Sequence, residues 1–306
     1  MAGAATKMED MEYLQVNERL KAAFPRFSPQ LRKAARHVLD HPEEVALNSM
    51  RQLARQAGVH PSTMVRLAKT LDLSGYDALR EPYRQHLRDG PARYAARARG
   101  LQALDDGKSA LLDELLALDI DNLQVTARGI GADRLIRASR ILAGARRIYV
   151  VGSRSSFSIA YYFHYACRMF RDTVHLIEGT GGAFADGIRG IGRKDALLAV
   201  GFEPYARETV LAARFGRGQG AAVVAITDSA VSPIGIDAAE ALIVANRSPS
   251  LFQSLAGALA AAQALVALLV ARGGREAVAA LENSESQLER FGAYWPATGA
   301  EARVPS

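Results

Sequence analysis

Apolar positions recur at two different periods along this chain, and the period changes near residue 145. Before that point they return every three or four residues. Residues 11–24 make a short amphipathic stretch. Leu31, Ala34, Ala35, Val38 and Leu39 then form a stripe. Ser28-Pro29 opens it, a capping hydroxyl followed by proline at the first helical position, and Asp40-His41-Pro42 closes it. Residues 109–130 and 132–142 read as two more amphipathic helices, and 83–99, rich in Arg and Ala, as a solvated linker helix. After 145, short apolar runs alternate with helical pattern: 147–151, 173–177, 196–200, 222–227 and 241–245. Runs without polar alternation suit strands buried on both faces of a parallel sheet. Five of them separated by helices predict an α/β domain behind an all-helical one. Crossovers in such a sheet are right-handed, and ligands bind at the carboxyl ends of its strands.

Met50 to Lys69 carries the most specific spacing. Ser49 with Gln52 three residues on predicts a capping box. Leu53 and Ala57 face inward, and Ala54 is small where a second helix must cross closely. Gly58 falls where a tight turn needs φ > 0. Pro61 starts the second helix, whose apolar face is Val59, Met64 and Leu67. This is helix-turn-helix spacing. His60, Ser62, Thr63, Arg66 and Lys69 are left for the outer face, polar and cationic side chains suited to base edges and phosphates. A helical hairpin that uses the same spacing only for packing is the bland alternative.

The stretch Arg147 to Phe170 reads as strand, polar Gly/Ser turn, helix. Gly152 stops the strand, and Ser153-Arg154-Ser155-Ser156 follows. Such a turn presents backbone N–H groups and hydroxyls at the positive end of a helix, a seat for an anion such as a phosphate. The alternative is a loop in which Ser155 or Ser156 merely caps the helix. The segments expected around the same rim are Gly201 to Arg207, Thr227 to Ser232 and Ser248 to Ser250.

Charge sharpens the picture. Of 38 Lys and Arg, 17 lie in residues 1–99, against 11 of the 32 Asp and Glu, so the whole net charge of +6 falls in the first third. That third is expected to meet a polyanion. The single cysteine, Cys167, lies on an apolar helix face and reads as a small buried hydrophobe. One cysteine and an N-terminus without a signal-like apolar core point to the cytoplasm. Leu255 to Ala271 is uncharged but Ala-rich and short for a span, so a core or subunit-interface helix is expected rather than a membrane segment.

Ser49 to Tyr76, with its tail Leu71-Asp72-Leu73-Ser74-Gly75-Tyr76, resembles the N-terminal domain of the RpiR/MurR family of bacterial transcription regulators. That family has a Gly-Phe-Ser-Gly-Tyr type of tail, and here Asp72-Leu73 stand in for Gly-Phe. The resemblance extends from about residue 24 to 273 and implies a C-terminal SIS (sugar isomerase) domain. It divides the chain into a helix-turn-helix domain at 1–88, a helical linker at 89–125, a SIS-like domain at 126–273 and a C-terminal helix and tail at 274–306. Gly152, Ser153, Ser155 and Ser156 match the first SIS motif. The second, usually Ser-x-Ser-Gly-x-Thr, reads Gly201-Phe202-Glu203-Pro204-Tyr205-Ala206-Arg207-Glu208-Thr209. The serines expected at 201 and 203 are absent and a carboxylate stands at 203. The effector site implied is Ser153, Arg154, Ser155, Ser156, Glu203 and Arg207. Its occupant is open between a phosphorylated sugar, a neutral or acidic sugar-like molecule, and none.

Two functions are compatible with these residues. One is a regulator whose affinity for a double-stranded operator is set by a sugar, sugar phosphate or sugar acid, acting as a homodimer or homotetramer. The other is a sugar-phosphate isomerase with an appended DNA-binding module, using Glu203, His164 or His175 for proton transfer. No catalytic triad order, metal-ligand cluster or dinucleotide fingerprint is present in the sequence, and no cofactor or metal is expected. The regulator is the reading adopted.

Overall fold

Among the described residues, helices are the only regular elements as far as Gly144, and the first strand begins at Ile148, where the apolar period changes. The structure, a computed structural model, describes residue 13 and residues 15–89, 92–102 and 108–295. These form two compact units. The first holds the chain up to Leu118 together with 229–236 and 248–253. The second holds 119–228, 237–247 and the chain from 254 onward.

The first unit is helical. α1 (15–23) leads to α2 (Pro29–Asp40), α3 (Pro42–Leu47), α4 (Met50–Gln56), α5 (Pro61–Thr70), α6 (Tyr76–Asp89) and α7 (Ala92–Gln102). The expected start signals are all used: the Ser28 side chain caps α2, and Ser49 and Gln52 form a reciprocal capping box on α4. Leu20, Leu31, Val38, Leu53, Met64, Leu67 and Leu79 meet in one core. Tyr83 belongs to that core, which corrects the reading of 83–99 as a solvated linker. Its ring is fully buried edge-on to Tyr13, and its hydroxyl donates to Asn17 Oδ1 at 2.6 Å. Val231 is buried in the same core.

α5 ends in a Schellman motif. Leu73 N–H bonds the Ala68 carbonyl and Asp72 N–H the Lys69 carbonyl, with Asp72 left-handed at φ 62°. The tail departs from its glycine at the one position where glycine is free of the Cβ penalty. Asp72→Gly is therefore expected to raise the stability of this unit by about 0.5–1 kcal/mol. Urea unfolding monitored by circular dichroism checks it.

The second unit is a five-stranded parallel sheet: β1 (Ile148–Val151), β2 (Val174–Ile177), β3 (Ala196–Gly201), β4 (Ala222–Thr227) and β5 (Glu240–Ile243), in the order β2-β1-β3-β4-β5. Val151 pairs with Ile177 on one side and Ala199 on the other. α8 (Lys108–Gly144), kinked at Gly131, runs into β1 and so supplies the two helices expected at 109–130 and 132–142. α9 (Phe157–Arg168) follows β1, the short α10 (Phe184–Gly187) follows β2, and α11 (Arg207–Gly218) follows β3. α12 (Ala256–Arg290), kinked at Gly274, completes the unit. It is long and apolar enough to cross a membrane by length and composition. Its first half, however, packs Ala258, Ala261, Ala262, Leu265 and Leu269 into the core beside α9 and the sheet. Cys167 is wholly buried there, and burial pushes its thiol up to about 12.

Two ion clusters fasten the amino ends of the strands. Asp195, buried just before β3, accepts from Arg146 at 3.0 Å through both oxygens, from Arg147 at 3.3 and 3.1 Å, and from Gly192 N–H at 3.0 Å. Glu240 at the start of β5 pairs with Arg137 at 2.6 Å and Arg134 at 3.4 Å, both from α8. Both carboxylates are almost fully buried, so each depends on its arginines.

Candidate functional site

The turn of the helical unit is built as its sequence requires. Ala54, fully buried, lets α5 approach α4, and Gly58 sits at φ 63°. His60 caps α5 by accepting the Ser62 N–H through Nδ1, which also lies 2.8 Å from the Ser62 hydroxyl. Ser62, Arg66 and Lys69 are exposed along one side of α5. Thr63 is not with them. It is 7% exposed and lies among the buried residues of α5, which corrects its place on the outer face. The physical reason is its spacing, four residues before the fully buried Leu67, which puts both on one side of the helix. Arg51 and Arg55 on α4, not singled out from the sequence, are exposed cations on the helix that crosses the backbone in helix-turn-helix docking.

In the sheet unit, β1 connects to β2 on one side, and β3 continues on the other. The loops after β1 and β3 therefore diverge from neighbouring strand ends, and this switch point is where such sheets bind ligands. Gly152 leaves β1 where a Cβ would stand 2.7 Å from the Ser156 carbonyl, so only glycine lets the loop fold back this tightly. Arg154 takes a left-handed φ of 59° in the 3-10 turn Arg154–Ser156. Neither Ser155 nor Ser156 caps α9 with its side chain, so the bland reading of this loop fails. α11 has no side-chain cap either. Arg154, Ser155 and Arg207 are exposed, Ser153 and Glu203 half-buried, and Ser156 buried.

The two loops are joined. Ser153 N–H donates to the Thr209 hydroxyl at 3.2 Å, and the Ser153 hydroxyl to Glu208 at 3.2 Å. Asp228, after β4, accepts the Glu203 N–H at 3.1 Å and the Tyr205 hydroxyl at 2.6 Å. Burial, then the Asp228 carboxylate, hold the Tyr205 phenol well above its ordinary range. Glu208, Thr209, Tyr205 and Asp228 thus join Ser153 and Glu203 in one hydrogen-bonded cluster at these strand ends. Of the other rim segments expected, Ser229–Ser232 and Ser248–Ser250 belong to the first unit.

The two histidines lie away from this rim. His164 bonds to the backbone of Val174, at the amino end of β2. His175, expected inside a buried strand, is exposed because β2 is the edge of the sheet. Burial lowers the pKa of both rings, with Arg168 adding to the effect on each and Arg147 on His175. No cluster of metal-binding side chains occurs among the described residues.

Residues 14–89 match the helix-turn-helix domain of the rpiR family, and 141–271 match the SIS domain. The HTH-type transcriptional regulator HexR of Pseudomonas aeruginosa is 25% identical over 71% of this chain and 74% of its own length. An uncharacterized HTH-type transcriptional regulator of Caldanaerobacter subterraneus is 22% identical over 76% and 80%. Among solved structures, the Vibrio vulnificus NanR protein complexed with ManNAc-6P aligns over 91% of this chain and all of its own. Its TM-score is 0.55 at 23% identity. The sugar isomerase domain of an RpiR transcription factor from Sphaerobacter thermophilus aligns over 57% of this chain and 98% of its own, also at TM-score 0.55, with 24% identity. These structural likenesses establish the fold.

Proposed function

The chain belongs to the RpiR family of transcription regulators, an rpiR-type helix-turn-helix domain followed by a SIS domain, and from that premise we propose that its affinity for a DNA operator is set by a sugar-like or phosphosugar effector held at the β1 and β3 rim. The observation that carries the DNA half is α5, capped by His60 and presenting Ser62, Arg66 and Lys69 from the segment that holds the chain's net positive charge. The effector half rests on the uncapped helix starts at the switch point, with Arg154 and Arg207 beside them. The phosphosugar ManNAc-6P in the NanR complex supports a sugar-derived effector here. The reading is a regulator rather than an isomerase: of the three bases weighed for proton transfer, His164 and His175 stand apart from that rim and Glu203 alone is there. It works in the cytoplasm with domain limits of 1–88 and 126–273.

Selection of bound duplexes from a random library is expected to yield one sequence with two half-sites about 34–36 Å apart. Recovery of unrelated sequences with no common site would reject the reading.

Two half-sites require a dimer. α12 gives its large inward side chains Leu265 and Leu269 to the core of one chain. α8 instead carries Leu112 and Leu116 in the first unit, 60% and 65% exposed at four-residue spacing on one helix side. A second copy of this chain is the occupant proposed for that stripe, since a symmetric interface repeats one apolar patch against itself. Leu116→Arg is expected to convert the dimer to monomer in light scattering at micromolar concentration and to lower operator affinity at least tenfold. A dimer that withstands the charge would place the interface elsewhere.

A further inference from the structure

The helical unit holds a cavity of about 390 Å³, lined by Phe24, Pro29, Arg32, Lys33, Arg36 and Ile236, all of that unit. Its volume lies within the range of small-molecule pockets, roughly 300–1,000 Å³. The wall is one side of α2. Leu31, Ala34, Ala35 and Val38 turn to the core, which leaves Pro29, Arg32, Lys33 and Arg36, at three- and four-residue steps, on the other side. Phe24, buried just before α2, and Ile236, half-buried in the segment 229–236, supply apolar surface. Arg32 and Lys33 are exposed cations. The Arg32 guanidinium is held in place by donating to the Pro25 carbonyl at 2.9 Å, and it keeps other N–H groups for a ligand. Arg36 already has a partner of its own, so no bond to a ligand is asked of it. Pro29 is the first residue of α2, which brings the positive end of a 12-residue helix to the same cavity. No carboxylate is among the lining residues.

We propose that this cavity is a second ligand site, separate from the strand rim, for a small organic anion with an apolar body, an aromatic or short-chain carboxylate. The apolar body lies on Phe24 and Ile236, and the carboxylate reaches Arg32 and Lys33. An arginine fork matches a carboxylate through two parallel bonds, and the lysine adds a point charge. DNA phosphate is the competing anion, because this part of the chain carries the net positive charge. A phosphate contact, however, needs neither a cavity nor an apolar floor, whereas an amphiphilic acid uses both. Ile236 comes from the same segment that buries Val231 in the helical core, so an occupant fastens that segment to α2.

The test uses the full chain at pH 7, with calorimetry and thermal unfolding. Naphthoate, naphthol and inorganic phosphate are the probes, at equal ionic strength. Naphthoate is expected to bind with a Kd of about 1 mM or below and to raise the unfolding midpoint. Naphthol, which lacks the charge, and phosphate, which lacks the rings, should each bind roughly tenfold more weakly or worse. Arg32→Gln with Lys33→Gln is expected to weaken naphthoate by the same factor and to leave the ligand-free midpoint in place, since both side chains are exposed. Arg128→Gln with Arg140→Gln removes two exposed cations from α8 and should leave naphthoate binding intact. The site is overturned if wild type does not bind naphthoate, if naphthol binds as well, or if the two double variants bind naphthoate alike. A change at Arg32 and Lys33 that weakens random DNA but not naphthoate would also overturn it, and would assign these cations to the phosphate backbone.

Discussion

Asp195→Ala is expected to destabilise the sheet unit by about 3 kcal/mol, the low end of the range for breaking a buried ion pair, because both arginines reach solvent. The side chain of Asp195 is fully buried and accepts five hydrogen bonds from Arg146, Arg147 and Gly192. It joins the residues before β1 to the turn before β3, the two strands whose far ends form the proposed effector rim. The unfolding midpoint should fall by roughly 6–12 °C for a unit of this size. Asp195→Asn should recover only part of the loss, since it keeps the shape but not the charge. The effect also depends on pH. Burial alone would raise the carboxyl pKa, but the hydrogen bonds from Arg146 and Arg147 outweigh it and hold the group well below the carboxylate range. A depressed folded value means that the stabilisation is fully present above the unfolded pKa of about 3.9 and is lost as pH falls through the folded value. The difference between wild type and Asp195→Ala should therefore be constant from pH 5 to 8 and shrink below pH 4. A difference of the same size at pH 3 would mean that packing, not charge, carries the effect.

Arg66→Ala is expected to cost about 1–3 kcal/mol on the selected operator and far less on random DNA. The residue is exposed on α5 between Ser62 and Lys69, placed to reach a base edge if that helix enters the major groove. Lys69→Ala, the removal of a phosphate-type contact, should weaken both DNAs alike and reduce the salt dependence of binding by about one charge. Thr63→Ala gives the control. Because Thr63 is buried among Met64, Leu67 and Ala68, its loss should lower the stability of the helical unit and leave the preference for operator over random DNA unchanged. Titration of labelled duplexes at two salt concentrations separates the three outcomes. Equal losses for Arg66→Ala on both DNAs would assign it to the phosphate backbone.

What the sequence made legible was local. The Ser49 and Gln52 box, the Pro29 and Pro61 starts and the left-handed Gly58 each depend on a few neighbouring residues, and each is formed as its chemistry demands. The strands were legible because apolar runs without alternation have few alternatives in an α/β chain. What was not legible depended on distant approach. Tyr83 looked like part of a charged linker because its partners, Tyr13 and Asn17, lie about 70 residues earlier. His175 sat in a strand pattern, but only strand order makes β2 an edge. The rim was half legible. Ser153 and Glu203 were selected from motif positions, whereas their partners Glu208 and Asp228 emerge only when three strand ends are brought side by side. Thr63 was the avoidable miss, since its spacing to Leu67 was already in view.

The buried Cys167 has a practical consequence for studying this molecule. It is the chain's sole thiol, and with its pKa near 12 only a fraction on the order of one in ten thousand is thiolate at pH 8. Maleimides and methanethiosulfonates react with thiolate, so the native chain is a chemically silent background for them. A cysteine introduced at the exposed Lys33 of α2, outside the side chains presented from α5, would then carry a spin label or fluorophore alone, without first removing a native thiol from the core. Two helical units labelled in this way in one dimer would report their separation directly, free and on operator DNA.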